Sequence, residues 1–333
     1  MSLRLGIDLG GTKTEILAQG PGGAELFRNR VATARDYDGT LALLAGLVQE
    51  AERQAGQRGS LGLAIPGCET ADGTIKNANS TWLNGRPLRA DLEARLDRPV
   101  RLANDANCFA LSETRDGAAQ GAGVVFGVIA GTGLGGGVVV NGRVLGGAHG
   151  VGGEWGHIPL PSPTPDEWTN APDCYCGKRG CMETWCSGPA LARDFLNGPF
   201  LNDPLRPQLP LGASASTAAA TSPFNASQKG EADLRLRQPT AAEIAASDHP
   251  LAIAAMDRWL DRLARGLAVV VNILDPDVIV LGGGLSNIAR LYDELPPLVE
   301  RYAFTLGSPP RIVKNRHGDS SGVRGAAWLW PEA

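Results

Sequence analysis

Apolar and polar residues alternate along residues 4–18, RLGIDLGGTKTEILA, on both sides of a central Gly-Gly pair. This alternation is typical of β-strands and the glycines permit a sharp reversal, so the pattern predicts a strand, a tight turn and a second strand. The same pattern recurs at 124–147, VVFGVIAGTGLGGGVVVNGRVLGG, with Asn141-Gly142 as a hairpin turn. Two copies of one unit predict two related α/β halves with a ligand cleft between them.

The hydrophobic spacing elsewhere predicts the elements that complete each half. Apolar residues at helical spacing predict helices over 39–54 and 251–274, and the apolar run at 326–330 is expected to return as a helix to the first half. The preceding residues, HGDSSGVRG at 317–325, are interpreted as a glycine-rich turn. The remaining predicted elements are buried strands at 61–67 and 278–284 and a strand, polar corner and helix over 100–113.

These elements predict two domains. A smaller domain would comprise residues 1–115 together with a C-terminal helix at about 318–333, and a larger domain would cover 116–317. The larger domain contains a cysteine-rich segment at 157–186 and a tract rich in Ala, Ser, Thr and Pro at about 202–240. We interpret this tract as a mobile surface insertion, because its composition is poor in residues that build a core.

Composition restricts the classes of function. The chain has 333 residues, of which 43% are hydrophobic and 20% charged, as expected for a globular protein large enough for two cores. Its 31 basic and 35 acidic residues give a net charge of -4, which provides no general attraction for nucleic acid or anionic lipid. The sequence shows neither a signal peptide nor a membrane-spanning apolar stretch, so we expect a cytoplasmic protein without nucleic-acid or membrane partners.

The glycine turns carry groups that can hold a nucleotide. They offer bare backbone N–H groups for phosphate oxygens, and Asp8 is placed to hold Mg²⁺ through water. One such turn alone fits a hairpin shaped only by backbone geometry, but two matched turns and a third glycine run favour ATP. The predicted nucleotide-binding residues are Asp8, Gly10, Gly11, Thr12, Lys13, Gly131, Thr132, Gly133, Gly135, Gly282, Gly283 and Gly284.

A dinucleotide site is the competing interpretation of the second turn. Gly131, Gly133 and Gly136 satisfy the GxGxxG spacing, and Glu154 lies at nearly the distance of the ribose-binding acid. That motif needs a helix directly after the glycines, so that the pyrophosphate sits on a helix N-terminus. The pattern here continues as a hairpin, so we reject the dehydrogenase interpretation.

Polar residues on the predicted loops suggest a sugar as the second ligand. Asp105, at the corner between a strand and a helix, fits either an N-cap or the general base that orients an attacking hydroxyl toward the γ-phosphate. Glu154 and His157 in GGEWGH, with the amides of Asn79 and Asn104, suit the hydroxyl-dense face of a sugar. The alternative for GGEWGH is a solvated glycine-rich loop.

The segment PDCYCGKRGCME, residues 172–183, supplies thiols for a metal site. Cys174, Cys176 and Cys181 provide three of the four ligands that tetrahedral Zn²⁺ requires, and His157 is the natural fourth. Cys186 is the rival fourth ligand. A thioredoxin-like redox motif is excluded because no CxxC occurs, whereas a disulfide between Cys176 and Cys181 stays open as an alternative.

The ordered set IDLGGTK, NDANC, GTGLGGG, GEWGH, CYCGKRGCME and VIVLGGG resembles the ROK family of bacterial sugar kinases and sugar-responsive repressors. The resemblance runs from residue 4 to residue 330, with the tract at 202–240 poorly covered. It implies an actin-like ATPase (ribonuclease H-like) fold, two α/β domains that close on ATP and sugar. Within the family, KNANSTWLNG (76–85), CYCGKRGCMET and HGDSSGVRGAAWLW look most like the bacterial fructokinases.

The resemblance also implies roles for individual residues. Asp105 would be the base in ATP-dependent phosphorylation of D-fructose to fructose 6-phosphate. Zn²⁺ would be bound by His157, Cys174, Cys176 and Cys181, with the second ring nitrogen of His157 facing the sugar. The chain would form a homodimer. The residues implied to hold sugar hydroxyls are Asn104, Glu154, His157 and Glu183.

Other members of the family provide the alternatives to a fructokinase. N-acetylglucosamine kinases and glucokinases share every motif named above, so they are the close competitors. A sugar-sensing repressor is less compatible, because the first glycine hairpin begins within six residues of the start and leaves no room for a preceding DNA-binding helix-turn-helix.

Overall fold

A computed structural model of the chain describes residues 3–197, 238–304 and 307–330. Most of the predicted insertion, residues 202–237, lies outside the described residues, as do residues 331–333 of the predicted C-terminal helix. Within the described ranges, none of the helices combines the length and apolar content that crossing a bilayer requires.

The first half of the chain forms one mixed sheet and a small hairpin. Its strands are β1 (Arg4–Leu9), β2 (Lys13–Gln19), β3 (Glu25–Ala32), β4 (Ser60–Ile65), β5 (Cys68–Glu69), β6 (Ile75–Lys76) and β7 (Val100–Asn104). The sheet has the order β3-β2-β1-β4-β7, and β5 pairs with β6 separately. β2 is antiparallel to both of its neighbours, whereas β1, β4 and β7 run parallel, so the last three strands end at the same edge.

The second half repeats this topology. Its strands are β8 (Val124–Ala130), β9 (Leu134–Val140), β10 (Arg143–Val144), β11 (Val278–Gly282) and β12 (Ile312–Lys314). The order is β10-β9-β8-β11-β12, with β9 antiparallel to β8 and β10, and with β8, β11 and β12 parallel. The duplication predicted from the two glycine hairpins is therefore confirmed. The boundaries of the two domains stay a prediction.

The described helices cover the faces of these sheets. They are α1 (Tyr37–Ala55), α2 (Leu88–Leu96), α3 (Asp105–Arg115), α4 (Pro165–Thr169), α5 (Met182–Cys186), α6 (Gly188–Asn197), α7 (Ala241–Ala245), α8 (Pro250–Leu274), α9 (Arg290–Tyr302) and α10 (Ser321–Ala327). The predicted helices at 39–54 and 251–274 are confirmed, and a side-chain cap marks the start of each. Asp36 accepts a hydrogen bond from Gly39 N (2.7 Å) at the start of α1, and His249 caps α8.

The prediction of a glycine-rich turn at 317–325 is wrong over most of its length, because α10 already begins at Ser321. The glycines of this segment serve close packing. A Cβ at Gly325 would come within 1.7 Å of the carbonyl oxygen of Cys108, and one at Gly322 within 2.6 Å of a carboxylate oxygen of Asp8. A larger residue would displace the backbone of Cys108 at the first position and the carboxylate of Asp8 at the second.

Two helices occupy the space between the sheets. α10 packs against α3 and against β1 and β4 of the first sheet, while α3 also packs against β8 and β9 of the second. α3 starts directly after β7, at the edge where the parallel strands of the first sheet end. The fold therefore places the first residues of α3 between the two sheets, where ligands bind in α/β proteins.

Candidate active site

Asn104 fixes the start of α3. Its side-chain oxygen accepts hydrogen bonds from Ala106 N (2.8 Å) and Asn107 N (3.4 Å), and its amide nitrogen donates to Gly67 O (3.1 Å). The N-cap is therefore Asn104, and the cap interpretation of Asp105 is wrong. Asn104 has a structural task that the sequence analysis missed, and its predicted contact with a sugar stays a prediction.

Asp105 is the first residue of α3 and its side chain is exposed to the space between the sheets. One carboxylate oxygen accepts from the adjacent Ala106 N (2.8 Å). Enclosure by protein raises the pKa of Asp105 to about 6, the bond from Ala106 opposes this shift, and the charge of Glu154 adds to it. A carboxylate with this pKa is mostly ionised at neutral pH and is a stronger base than an ordinary aspartate.

Asp8, at the end of β1, lies in the electrostatic field of Asp105. Burial raises its pKa to about 7, the charges of Asp105 and Glu15 contribute further, and Arg30 opposes them. A carboxylate whose pKa is raised by burial and by the negative charge of a neighbour favours a bound cation, which offsets that repulsion. The pair fits the predicted magnesium position, and Gly322 leaves the room that the Asp8 carboxylate occupies.

The first glycine turn connects β1 to β2 and is held by backbone contacts. Gly10 N donates to Lys13 O (3.0 Å), and the Thr33 hydroxyl donates to Gly10 O (2.8 Å). Gly11, Thr12 and Lys13 are exposed. The turn is thus rigid at its base, with the hydroxyl of Thr12 and the amine of Lys13 accessible from solvent.

The second glycine turn connects β8 to β9 and is braced from outside. Gly131 N donates to Gly133 O (2.9 Å), and Gly131 O accepts from Gly188 N (2.7 Å) at the start of α6. Thr132 is exposed at the tip. Gly135 lies inside β9 opposite Ile129. Two residues further along the strand, Gly137 allows α3 to pack close to β9.

The third glycine run, residues 282–284, adjoins the second glycine turn through Gly284. A Cβ at Gly282 would come within 2.4 Å of the Phe109 ring, and Gly283 has a left-handed backbone (φ 77°). Packing and turn geometry account for these two glycines. Gly284 is exposed, and its nitrogen is 3.8 Å from the Cβ position at Gly131. Gly284 is therefore the member of the run that adjoins the predicted phosphate site.

The predicted sugar ligands Glu154, His157 and Glu183 lie in one electrostatic cluster. Burial raises the pKa of Glu154, the nearby His157 opposes the shift, and the charge of Glu183 adds to it. Because Glu154 also raises the pKa of Asp105, the same cluster extends to the start of α3. The structure thus gathers three carboxylates and an imidazole on one side of the cleft.

Asn79 is exposed on the loop that follows β6. Asn84 shapes this loop by accepting from Ala78 N (2.9 Å) and donating to Ala78 O (3.0 Å). The hydroxyl of the next residue, Ser80, is 3.7 Å from the Cβ position at Gly11. The loop carrying Asn79 therefore adjoins the first glycine turn.

The predicted metal ligands His157, Cys174, Cys176 and Cys181 form one cluster, with their ligand atoms all within 4.8 Å of one another. The Cys174 sulfur is 3.5 Å from His157 Nδ1, and the sulfurs of Cys176 and Cys181 are 3.6 Å apart. A tetrahedron with Zn–S bonds of about 2.3 Å has edges of about 3.8 Å, so these separations fit zinc. They are too long for a disulfide, and all six cysteines are free.

Cys186, the rival metal ligand, lies outside this cluster. Its side chain is fully buried in the core around Trp259, and burial raises the pKa of its thiol to about 12. A buried, protonated thiol among apolar side chains does not bind metal. His157 is thus the fourth member of the cluster.

Tyr175 is a neighbour of this site that the sequence analysis missed. Its hydroxyl is 2.9 Å from His157 Nε2, the nitrogen expected to face the sugar, and the two rings are perpendicular. Burial and the charges of Glu183 and Glu154 raise the pKa of Tyr175 to about 12, so the phenol stays protonated. The sequence indicates this neighbour only by placing an aromatic residue between two predicted metal ligands, Cys174 and Cys176.

Comparison with known proteins identifies the family of this chain. A sequence profile described as the ROK family matches residues 4–333. The N-acetyl-D-glucosamine kinase of Pectobacterium atrosepticum is 41% identical over 332 residues, covering 97% of each chain. The enzyme of the same name from Escherichia coli O127:H6 is 39% identical, covering 97% of this chain and 98% of its own.

Solved structures resemble the whole described fold. A ROK hexokinase from Thermus thermophilus superimposes with a TM-score of 0.76 at 33% identity, covering 98% of this chain and 97% of its own. A ROK family glucokinase from Streptomyces griseus, solved with glucose and AMPPNP, gives a TM-score of 0.68 at 27% identity and covers 98% of each chain.

The relatives' names correct one prediction. Three short stretches of sequence resembled fructokinases. The relatives that match nearly the whole chain are instead named as kinases of N-acetyl-D-glucosamine. The fructose preference is therefore not supported, and the alternative within the family is favoured. The chain belongs to the ROK family, with the α/β, actin-like ATPase fold of its sugar kinases.

Proposed function

We propose that this ROK-family sugar kinase transfers the γ-phosphoryl group of ATP to the 6-hydroxyl of N-acetyl-D-glucosamine. The observation that carries the proposal is the 41% identity, over 97% of both chains, to an enzyme named N-acetyl-D-glucosamine kinase. The clustering of Asp105, Glu154, His157 and Glu183 beside two glycine turns supplies the chemistry that such a transfer needs.

Asp105 acts as the general base. Its carboxylate accepts the proton of the 6-hydroxyl and orients that oxygen in line with the γ-phosphorus. The O6–phosphorus bond forms, the bond from phosphorus to the bridging oxygen of ADP breaks, and the proton stays on Asp105. The pKa of about 6 suits this task, because the group is ionised at neutral pH yet retains affinity for a proton.

The glycine turns hold the phosphates of ATP. Backbone N–H groups near Thr132 and Gly284 and the side chains of Thr12 and Lys13 are exposed where a triphosphate would lie between the halves. Asp8 would hold Mg²⁺ through water, and the ion supplies neutralisation of phosphate charge when bound. The negative charge of Asp105, which raises the pKa of Asp8, supports a cation at this position.

Glu154, His157 and Glu183 bind sugar hydroxyls. A missing or misplaced sugar hydroxyl would leave one of these polar groups without its hydrogen-bond partner, so this arrangement discriminates against such sugars. Asn79 and Asn104 are proposed as further contacts from the first half. Tyr175 restrains the His157 ring through its 2.9 Å contact and borders the same side of the cleft.

Zinc bound by His157, Cys174, Cys176 and Cys181 would crosslink the segment that forms this wall of the pocket. His157 Nδ1 faces the Cys174 sulfur at 3.5 Å, so Nδ1 is the nitrogen oriented to the metal. The cluster would then fix the tautomer and the orientation of the His157 ring. Its proposed role is structural, because four protein ligands close the coordination shell.

Identification of the product tests the proposed reaction. The protein is incubated with ATP, Mg²⁺ and N-acetyl-D-glucosamine, ADP is quantified, and ³¹P NMR locates the new phosphate ester. We expect one ester at O6 for each ADP formed. ADP release that does not depend on sugar, or an ester at O1, would overturn the proposal.

A further inference from the structure

A second cavity lies beside the catalytic cleft. Its volume is about 730 Å³, and it runs between the outer edge of β7 and the β9–β10 hairpin, with Trp328 and Leu329 as part of its wall. Asn104 lines it, whereas Asp105 and the sugar-side cluster of Glu154, His157 and Glu183 are not among its lining residues. The cavity receives walls from both sheets, so it lies at the junction of the two halves, and it shares Asn104 with the residues proposed to bind sugar.

The cavity is rich in arginine. We call it the arginine groove, after the four arginines that line it, Arg89, Arg101, Arg115 and Arg143. Arg89 is neutralised by Glu69, with Nε and a carboxylate oxygen 2.9 Å apart. Among the described residues, the other three form no salt bridge. The groove therefore has a net positive charge in a protein whose overall net charge is -4.

Two of these arginines, Arg101 and Arg115, are positioned by groups that do not cancel their charge. Arg101 donates to Leu329 O (2.7 Å) and lies 4.4 Å from the centre of the Trp330 ring. Arg115 donates to Gly142 O (2.9 Å) in the β9–β10 turn. Backbone carbonyls and aromatic rings orient guanidinium groups while leaving their charge available to a ligand.

Two donors on residues that line the groove are buried and have no hydrogen-bond partner within the described part of the chain. They are Arg115 Nε and Trp328 Nε1. A buried N–H without an acceptor is unfavourable, and native structures usually satisfy such groups by protein, water or ligand. Both groups are donors only, so the missing partner is an acceptor.

We propose that the arginine groove binds a phosphate group, carried either by free inorganic phosphate or by a small phosphorylated metabolite. Phosphate offers several strong acceptor oxygens and negative charge, which match the guanidinium forks of these arginines. A neutral sugar would leave the excess charge of Arg101, Arg115 and Arg143 uncompensated.

The indole N–H of Trp328 provides a site-specific probe. The chain has seven tryptophans, so the indole region of a ¹⁵N-correlated NMR spectrum is simple, and Trp328→Phe assigns the resonance. We expect this resonance to shift when inorganic phosphate is added to the full-length protein. Calorimetric titration of the same ligand gives the affinity without relying on the Trp328 variant.

Arg143→Glu is the decisive variant because Arg143 is exposed at the rim of the groove and the substitution reverses one of the groove's charges. It should weaken phosphate binding about tenfold or more and abolish the Trp328 shift. Arg95→Glu, at an exposed position of α2 outside the groove, changes the net charge equally and should leave both unchanged.

Comparing ligands identifies the source of the phosphate. Tighter binding of a hexose 6-phosphate than of inorganic phosphate in the groove assigns the site to a phosphorylated metabolite, and equal affinity assigns it to free phosphate. An unchanged Trp328 resonance, equal binding by the Arg143→Glu variant, or an equal response to neutral hexose would each overturn the proposal.

Discussion

The Glu183 carboxylate accepts a hydrogen bond from the backbone N–H of Leu134 at 2.9 Å. Leu134 is the first residue after the second glycine turn, and Glu183 is the second residue after the proposed zinc ligand Cys181. This contact joins the cysteine-rich segment to the turn proposed to hold ATP. A residue predicted only to bind sugar therefore also holds the second glycine turn.

Two substitutions of Glu183 distinguish its proposed binding of sugar from its contact with the second glycine turn. Glu183→Ala loses the acceptor for Leu134 N and should raise the KM for ATP and the KM for sugar. Glu183→Gln keeps an acceptor oxygen, so it should restore the KM for ATP toward the original value while the KM for sugar stays raised. Steady-state kinetics with each substrate varied in turn provides the measurement. If both variants leave the KM for ATP unchanged, Glu183 has no role in positioning the turn.

Asp105→Asn should lower kcat by about 10²- to 10⁴-fold, because the amide cannot accept the hydroxyl proton. The side-chain oxygen of asparagine can still accept from Ala106 N, so α3 should keep its start and sugar binding should be largely retained. Turnover and calorimetric sugar binding are measured on the same preparation. A kcat near that of the unmodified enzyme would remove Asp105 from the role of base.

The pKa of Asp105 sets the acid limb of the pH profile. Since burial raises this pKa from 3.8 to about 6, the active carboxylate is lost as the pH falls through that value, and kcat/KM for the sugar should decline about tenfold per pH unit below it. Saturating Mg²⁺ keeps Asp8, whose pKa is also raised, from adding its own titration. A profile flat down to pH 5 contradicts this assignment.

Zinc content tests the metal cluster. Protein purified without chelators should contain about one zinc per chain, and Cys174→Ser should lose it together with sugar affinity. Cys68→Ala is the matched control, because Cys68 is a buried thiol outside the cluster. Elemental analysis that finds equal zinc in the original protein and in Cys174→Ser would exclude this ligand set.

Local patterns predicted the architecture well. The glycine hairpins at 4–18 and 124–147 were found from alternation and turn residues, and the repeated sheet order confirms them. The long helix at 251–274 was found from its spacing, and the structure adds only Pro250 behind the His249 cap. These features depend on neighbouring residues in sequence, which is why the sequence alone was sufficient.

Features that depend on distant contacts were missed. The glycines at 322 and 325 suggested a turn because their contacts, Asp8 and Cys108, lie far away in sequence. The arginine groove combines Arg101, Arg115 and Arg143 from separate elements. The predicted preference for fructose was not supported, for a related reason. Sugar preference depends on the shape of a pocket assembled from several loops and not on one string of residues.

The most direct test of the central claim is the ratio of kcat/KM values for N-acetyl-D-glucosamine, fructose, glucose and mannose, measured with one enzyme preparation and saturating ATP. The account predicts that N-acetyl-D-glucosamine is preferred by about tenfold or more over each of the others. Phosphorylation of fructose with an equal or higher kcat/KM would contradict it.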